Sequence, residues 1–186
     1  VEGLRRLEYR GYDSAGIAFK RNRSILSAKT LGGVDRLSKK IKTNLNQSTL
    51  GIAHTRWATH GEPHEKNAHP HNSKDIFVVH NGIIENHEDL RSKLRAEGVR
   101  FSSQTDTEVI AHLIQTFIEK GKSFEQAIIS TTKELKGAYA LGIIDKNNPE
   151  SLIGVRNQSP LVVGRGFEEN YVASDILALA PVTNKF

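Results

Sequence analysis

Three short stretches carry side chains suited to gripping a small polar molecule. The first is Thr55-Arg56-Trp57-Ala58-Thr59-His60-Gly61, which contains the only tryptophan. The fork of donors on Arg56 matches a carboxylate through two parallel hydrogen bonds, as on an amino acid; a surface arginine closing a strand would leave the same trace. Trp57 fits a core or lid aromatic better than a ligand platform. Thr59 offers a hydroxyl, His60 a ring or a backbone amide, and Gly61 permits a tight bend. The second stretch is His80-Asn81-Gly82. Its Asn81 amide and Gly82 backbone N–H can point together at a developing oxyanion, yet Asn-Gly is equally the common signature of a hairpin turn. The third is Asp106, a carboxylate for an ammonium group or plain helix N-terminal charge.

Seven of the eight histidines fall between His54 and His87, which raises the question of a metal. His60 and His64 have the spacing of a zinc pair, but Gly61 and Pro63 between them work against the helix such a pair needs. His69 and His71 invite the same question, but no cysteine exists to complete a site. The histidines therefore read as polar-loop or ligand-shell residues, with no metal and no other cofactor.

Elements must position these groups. Runs of strand character at 50–54 and 76–79 lead into the first two stretches. Residues 14–20 and 24–30 predict a hairpin, and 34–43 a helix with Val34, Leu37 and Ile41 on one face. Asn86 as N-cap, Leu90 and Leu94, and Gly98 as stop predict a second helix. Thr105-Asp106-Thr107-Glu108 has the capping-box pattern and opens a helix ended by Gly121; Ser123 to Gln126 repeats the pattern for a helix reaching Leu135. Apolar runs at 138–144, 151–155, 161–163 and 170–173 then read as antiparallel strands. Strands, helices and strands again make an α+β plan in one domain, residues 1–186.

Composition excludes several classes. The net charge of +5 comes from clusters at 20–23, 36–42 and 91–100 that lack interleaved aromatics, so they read as solvated helix faces and not as a nucleic-acid surface. No apolar run reaches membrane-spanning length and no leader pattern is present, which makes a cytoplasmic location the expectation. Methionine is absent, and Val1 opens on what reads as a helix under way, so the chain reads as a fragment.

Taken in order, Arg6-Leu7-Glu8-Tyr9-Arg10-Gly11-Tyr12-Asp13-Ser14-Ala15-Gly16, HTRWATHG from His54, NAHPH from Asn67, HNGIIENH from His80, TDTEVIAHL from Thr105, Ser159-Pro160-Leu161-Val162 and Ala173-Ser174-Asp175 resemble one family. It is the glutaminase domain of the isomerising glutamine–fructose-6-phosphate aminotransferases, within the N-terminal-nucleophile (class II) glutamine amidotransferases. The resemblance implies a four-layer αββα sandwich with two stacked antiparallel sheets. It implies hydrolysis of the side-chain amide of L-glutamine to glutamate and ammonia. The ammonia then reaches fructose 6-phosphate at a separate isomerase portion, through which the family dimerises, to make glucosamine 6-phosphate.

Carried over by motif, Arg56 would hold the glutamine carboxylate, and Thr59, His60 and Asp106 its backbone end, Asp106 taking the ammonium. Asn81 and Gly82 would form the oxyanion hole. Trp57 would lie in a loop that closes over substrate, and Arg10 and His69 would support the site. One departure matters. The family's nucleophile is an N-terminal cysteine with its own α-amino group as base, and no residue here matches it. The expectation is a chain that lacks the leading strand and nucleophile as well as the isomerase domains, and is inactive as it stands. The alternatives are the glutaminase domain of an amidophosphoribosyltransferase and an inactive glutamine-binding module.

Overall fold

A computed structural model describes residues 1–41, 48–58 and 60–186. Its elements run in the order α1 (Glu2–Arg5), β1 (Ser14–Arg21), β2 (Ser24–Leu31), α2 (Val34–Lys40), β3 (Gly51–Arg56), β4 (His71–Ser73), β5 (Ile76–Gly82), α3 (His87–Ala96), α4 (Thr107–Glu119), α5 (Phe124–Glu134), β6 (Tyr139–Asp145), β7 (Leu152–Asn157), β8 (Val162–Arg165) and β9 (Asn170–Ala173). Short 3-10 turns lie between several of them.

The strands form antiparallel sheets in the orders β2-β1-β3 and β4-β5-β6-β7, with β8-β9 a separate ribbon among the described residues. Side chains alternate across each strand, which decides the layers. From β5 and β6, Ile76, Val78, Leu141 and Ile143 pack under Val109, Ile110, Leu113 and Ile114 of α4, with α3 and α5 completing that cluster. The opposite faces, with Phe77, Val79 and Ile144, meet Ala18 and Ile52 of the first sheet. Beyond that sheet, Ala15, Ile17 and Phe19 are covered by Leu4, Val34 and Leu37 from α1 and α2. The result is an αββα sandwich, as the motif series implied; the β8-β9 ribbon lies outside the two stacked sheets.

Local expectations hold where the signal is local. The β1–β2 hairpin pairs Ser14 with Leu31 and Arg21 with Ser24. Ser123 makes both halves of its capping box with Gln126. Three readings need correction. Asn86 stands at the N-cap of α3, but its side chain makes no capping bond; its amide spans instead to Glu134 O and Lys136 N. Arg91 is not on a solvated face. It is 4% exposed, donates to the carbonyls of Ser103 and Thr105, and lies 4.3 Å from the Phe101 ring. The strands expected at 50–54 and 76–79 run further than expected, so that Arg56, Asn81 and Gly82 lie within β3 and β5. The end of the helix expected over 34–43 falls partly outside the described residues, as does Thr59.

Candidate active site

The facing ends of the two sheets enclose a cavity of about 810 Å³, lined by Arg10, Arg56, Trp57, His60, His69, Asn81, Gly82 and Asp106 among others. All the site residues singled out from sequence therefore converge there except Thr59, which lies outside the described residues.

Asn81 and Gly82 do not form a hairpin turn. They end β5 and pair with Ala140 and Tyr139 of β6, and the ladder continues as Ile83 N–H donates to Ala138 O at 2.9 Å. Gly82 has φ of +129°, and a Cβ there would sit 2.1 Å from the Ala138 carbonyl oxygen. Both backbone angle and space demand glycine. Alternation along β5 sends His80 toward α4 and the neighbouring Asn81 toward the space between the sheets.

Asp106 is 4% exposed and does not cap α4 with its side chain. Its Oδ2 accepts the Ile84 N–H at 2.9 Å, which ties it to the chain just beyond Gly82. Thr105 takes the capping half, accepting from Glu108 N–H at 3.4 Å. Glu108, in turn, is spent on the preceding loop, where Ser102 and Ser103 each donate a backbone N–H and a hydroxyl. Burial alone would raise the Glu108 pKa, but the neighbouring His112 and the hydrogen bonds from Ser102 and Ser103 hold it well below the usual carboxylate range.

Arg56 is likewise buried, and one terminal nitrogen of its fork is occupied. Nη2 donates to the carbonyls of His60 and Gly61, the latter at 3.0 Å. Nη1 lies 3.5 Å from Asp13 Oδ1 but makes no hydrogen bond. Asp13 also accepts the Ala58 N–H and the Ser14 hydroxyl. Trp57 is 66% exposed and rests on Gly11, where a Cβ would come within 2.6 Å of the indole. It is not a core aromatic. Arg10 donates to the Ser174 hydroxyl at 2.7 Å, and Tyr9 to Asp175 at 2.7 Å, so the loop before β1 is fastened to the turn after β9.

His64 is an exposed loop residue and His60 and His69 line the cavity, as expected of polar-loop or ligand-shell histidines, but several of the rings are buried. His69, His71 and His80 are buried, with the His69 ring 4.3 Å from His54 and 5.1 Å from His71. Burial lowers their pKa values, to about 3 for His54 and His71, and keeps the rings neutral. No group of three or more His, Cys, Asp or Glu among the described residues is arranged to hold a metal ion. No helix of the described residues is long and apolar enough to cross a membrane.

Asn67, Asp13 and Thr107 were not marked as functional by residue type, yet they build the site. Asn67 is fully buried; its amide donates to Glu62 O and Gln104 Oε1 and accepts from Gln104 N–H, which braces the Gly61 bend to the loop before Asp106. A signal existed for it: a polar residue between the exposed Lys66 and the apolar Ala68 that no helix or turn required.

Comparison with known proteins places the arrangement. A profile described as a glutamine amidotransferase domain matches residues 54–181. The whole chain is 54% identical to part of a glutamine–fructose-6-phosphate aminotransferase (isomerizing) of Acinetobacter baylyi, and 52% identical to part of the Escherichia coli K12 protein of that name. It spans 30% and 31% of their lengths. Among solved structures, a glutamine phosphoribosylpyrophosphate amidotransferase from B. subtilis superposes with a TM-score of 0.81 at 28% identity, over 98% of this chain and 40% of the other.

Proposed function

The chain belongs to the glutamine amidotransferase family, and from that premise we propose that it binds L-glutamine between its two sheets and supplies the binding and oxyanion-stabilising part of a glutaminase. The observation that carries this reading is the meeting, in one cavity, of a guanidinium nitrogen without a hydrogen-bond partner, a buried carboxylate and the Asn81–Gly82 strand end. The Arg56 guanidinium receives the substrate carboxylate, and Asp106 the ammonium. His60 and Thr59 border the same end, with Arg10 and His69 in support. The side-chain amide then points toward Asn81 and Gly82, whose donors stabilise the oxyanion formed when a nucleophile attacks the amide carbon. Closure of the Trp57 segment over the ligand excludes water and retains ammonia.

The 186 residues contain no cysteine. The thiol that the family likeness calls for belongs, in this reading, to a segment outside them that enters the cavity beside Val1, itself part of the lining. Its sulfur attacks the amide carbon, its proton passes to the α-amino group and from there to the departing nitrogen, ammonia leaves, and water hydrolyses the thioester to glutamate and the free thiol. Alone, the chain binds without turning over.

The length of the relatives and their names support fructose 6-phosphate as the ammonia acceptor at a separate isomerase portion; in this reading the intact protein is also a homodimer that binds no nucleic acid. The fold likeness to the phosphoribosylpyrophosphate enzyme favours a second acceptor. The test is glutamate release from L-glutamine by the intact protein that carries this chain. Release stimulated by fructose 6-phosphate supports the reading; stimulation by phosphoribosyl pyrophosphate favours the second; no release with either rejects both and leaves a glutamine-binding module.

A further inference from the structure

Behind the Asn81–Gly82 strand end lies a hydroxyl that the reading above does not use. Thr107 opens α4 and is 1% exposed. Its Oγ1 lies 3.0 Å from His80 Nδ1, 3.0 Å from His69 Nε2 and 3.4 Å from Asp106 Oδ1. A hydroxyl has one proton to give and two lone pairs with which to accept, and a carboxylate can only accept. One assignment uses each capacity once. Thr107 donates to Asp106, and both imidazoles donate to Thr107.

Two further contacts agree. The ring nitrogens left without partners are His80 Nε2 and His69 Nδ1. In this assignment both are bare lone pairs, whereas any other leaves a buried N–H without an acceptor, the rarer and costlier orphan. His80 Nδ1 also lies 3.8 Å from Asp106 Oδ2, where a proton is attracted and a lone pair is repelled. Burial keeps both rings neutral, so each has a single proton to place.

We propose that Thr107 is a positioning residue: it fixes His80 as the Nδ1–H tautomer and His69 as the Nε2–H tautomer, and with its own proton aims the Asp106 carboxylate at the ammonium of the bound amino acid. With Ile84 N–H on Oδ2 and Thr107 on Oδ1, the carboxylate cannot rotate away from the cavity. The same node holds His80 against α4, and with it the strand end that carries Asn81. The ammonium part of the inference rests on the glutamine reading; the tautomers do not.

The test has two readouts on the 186-residue chain. Imidazole 15N NMR should show His80 protonated at Nδ1 and His69 at Nε2; the opposite tautomer at either ring overturns the node. Affinity is then measured for L-glutamine and for 4-carbamoylbutanoate, which has the same amide and carboxylate but no ammonium. Thr107→Val should weaken glutamine by about tenfold to a hundredfold, leave the desamino analogue within about twofold, and mix the tautomers. Thr107→Ser should restore both properties. Equal weakening of the two ligands, or no rescue by serine, would mean that Thr107 only packs, and the proposal falls. If Thr107→Val does not fold, the wild-type spectrum and the serine variant still decide. If the wild type binds neither ligand, the glutamine reading fails, and the spectrum alone upholds or overturns the node.

Discussion

The two rims of the cavity are built by different means. On one side, Asn81 and Gly82 are locked into the β5–β6 ladder, and Asp106 is pinned by Ile84 N–H and a buried hydroxyl. On the other, the segment after β3 is held by two charged side chains, Arg56 on the carbonyls of His60 and Gly61, and Asp13 on the Ala58 N–H. The first rim costs the fold to deform, because backbone bonds and a buried His-Thr network must break together. The second can change shape by releasing a few contacts, and its Trp57 already stands mostly in solvent. A site needs both, fixed donors where charge develops and a segment that admits ligand and then covers it.

Acid should separate the rims most widely. His69, His71 and His80 are buried and neutral, with folded pKa values below the unfolded value of about 6.5. Below that value the unfolded chain binds protons that the folded chain refuses. Their stabilisation is therefore complete above about pH 6.5 and is lost as pH falls toward the folded values, each group steepening the decline by up to about 1.4 kcal/mol per pH unit. Urea unfolding at pH 7 and pH 5 should show it, with the loss reduced in a His71→Asn variant. A flat profile would mean the wall is not dry.

Next in size is Gly82→Ala in the intact protein. A methyl group directed at the Ala138 carbonyl must displace the strand end, and loss of an aligned oxyanion donor costs about 10²- to 10³-fold in kcat. Asn81→Ala should give a similar kcat loss while KM and melting temperature hardly move; a rise in KM alone would place Asn81 in ground-state binding instead. Smallest is Trp57→Ala. Stability should change by no more than about 0.5 kcal/mol for so exposed a residue, while glutamine binding weakens. A large loss of stability would contradict the view of this rim as a lid.

What was legible in the sequence follows the same division. Ser123 and Gln126 announced their capping box because both partners lie within one turn. Asn81–Gly82 pointed to a turn because nothing nearby shows that β5 pairs with a strand lying beyond three helices. Arg91 looked solvated because its partners, the carbonyls of Ser103 and Thr105, belong to a loop that folds back over it. The residue types that can bind an amino acid were visible, and the motif series joined them. Thr107 was not, since a threonine opening a helix carries no mark of the two imidazoles that meet it from β5 and from the loop before β4.

Amide hydrogen exchange of this chain with and without L-glutamine tests the central claim most directly. Amides of Asn81, Ile83 and Ile84 should be slow in both states. Those of Trp57 and Gly61 should be fast in the free chain and slowed by glutamine. Protection of the first group alone, or no change in either at saturating glutamine, would contradict the account of a fixed wall and a closing lid around that ligand.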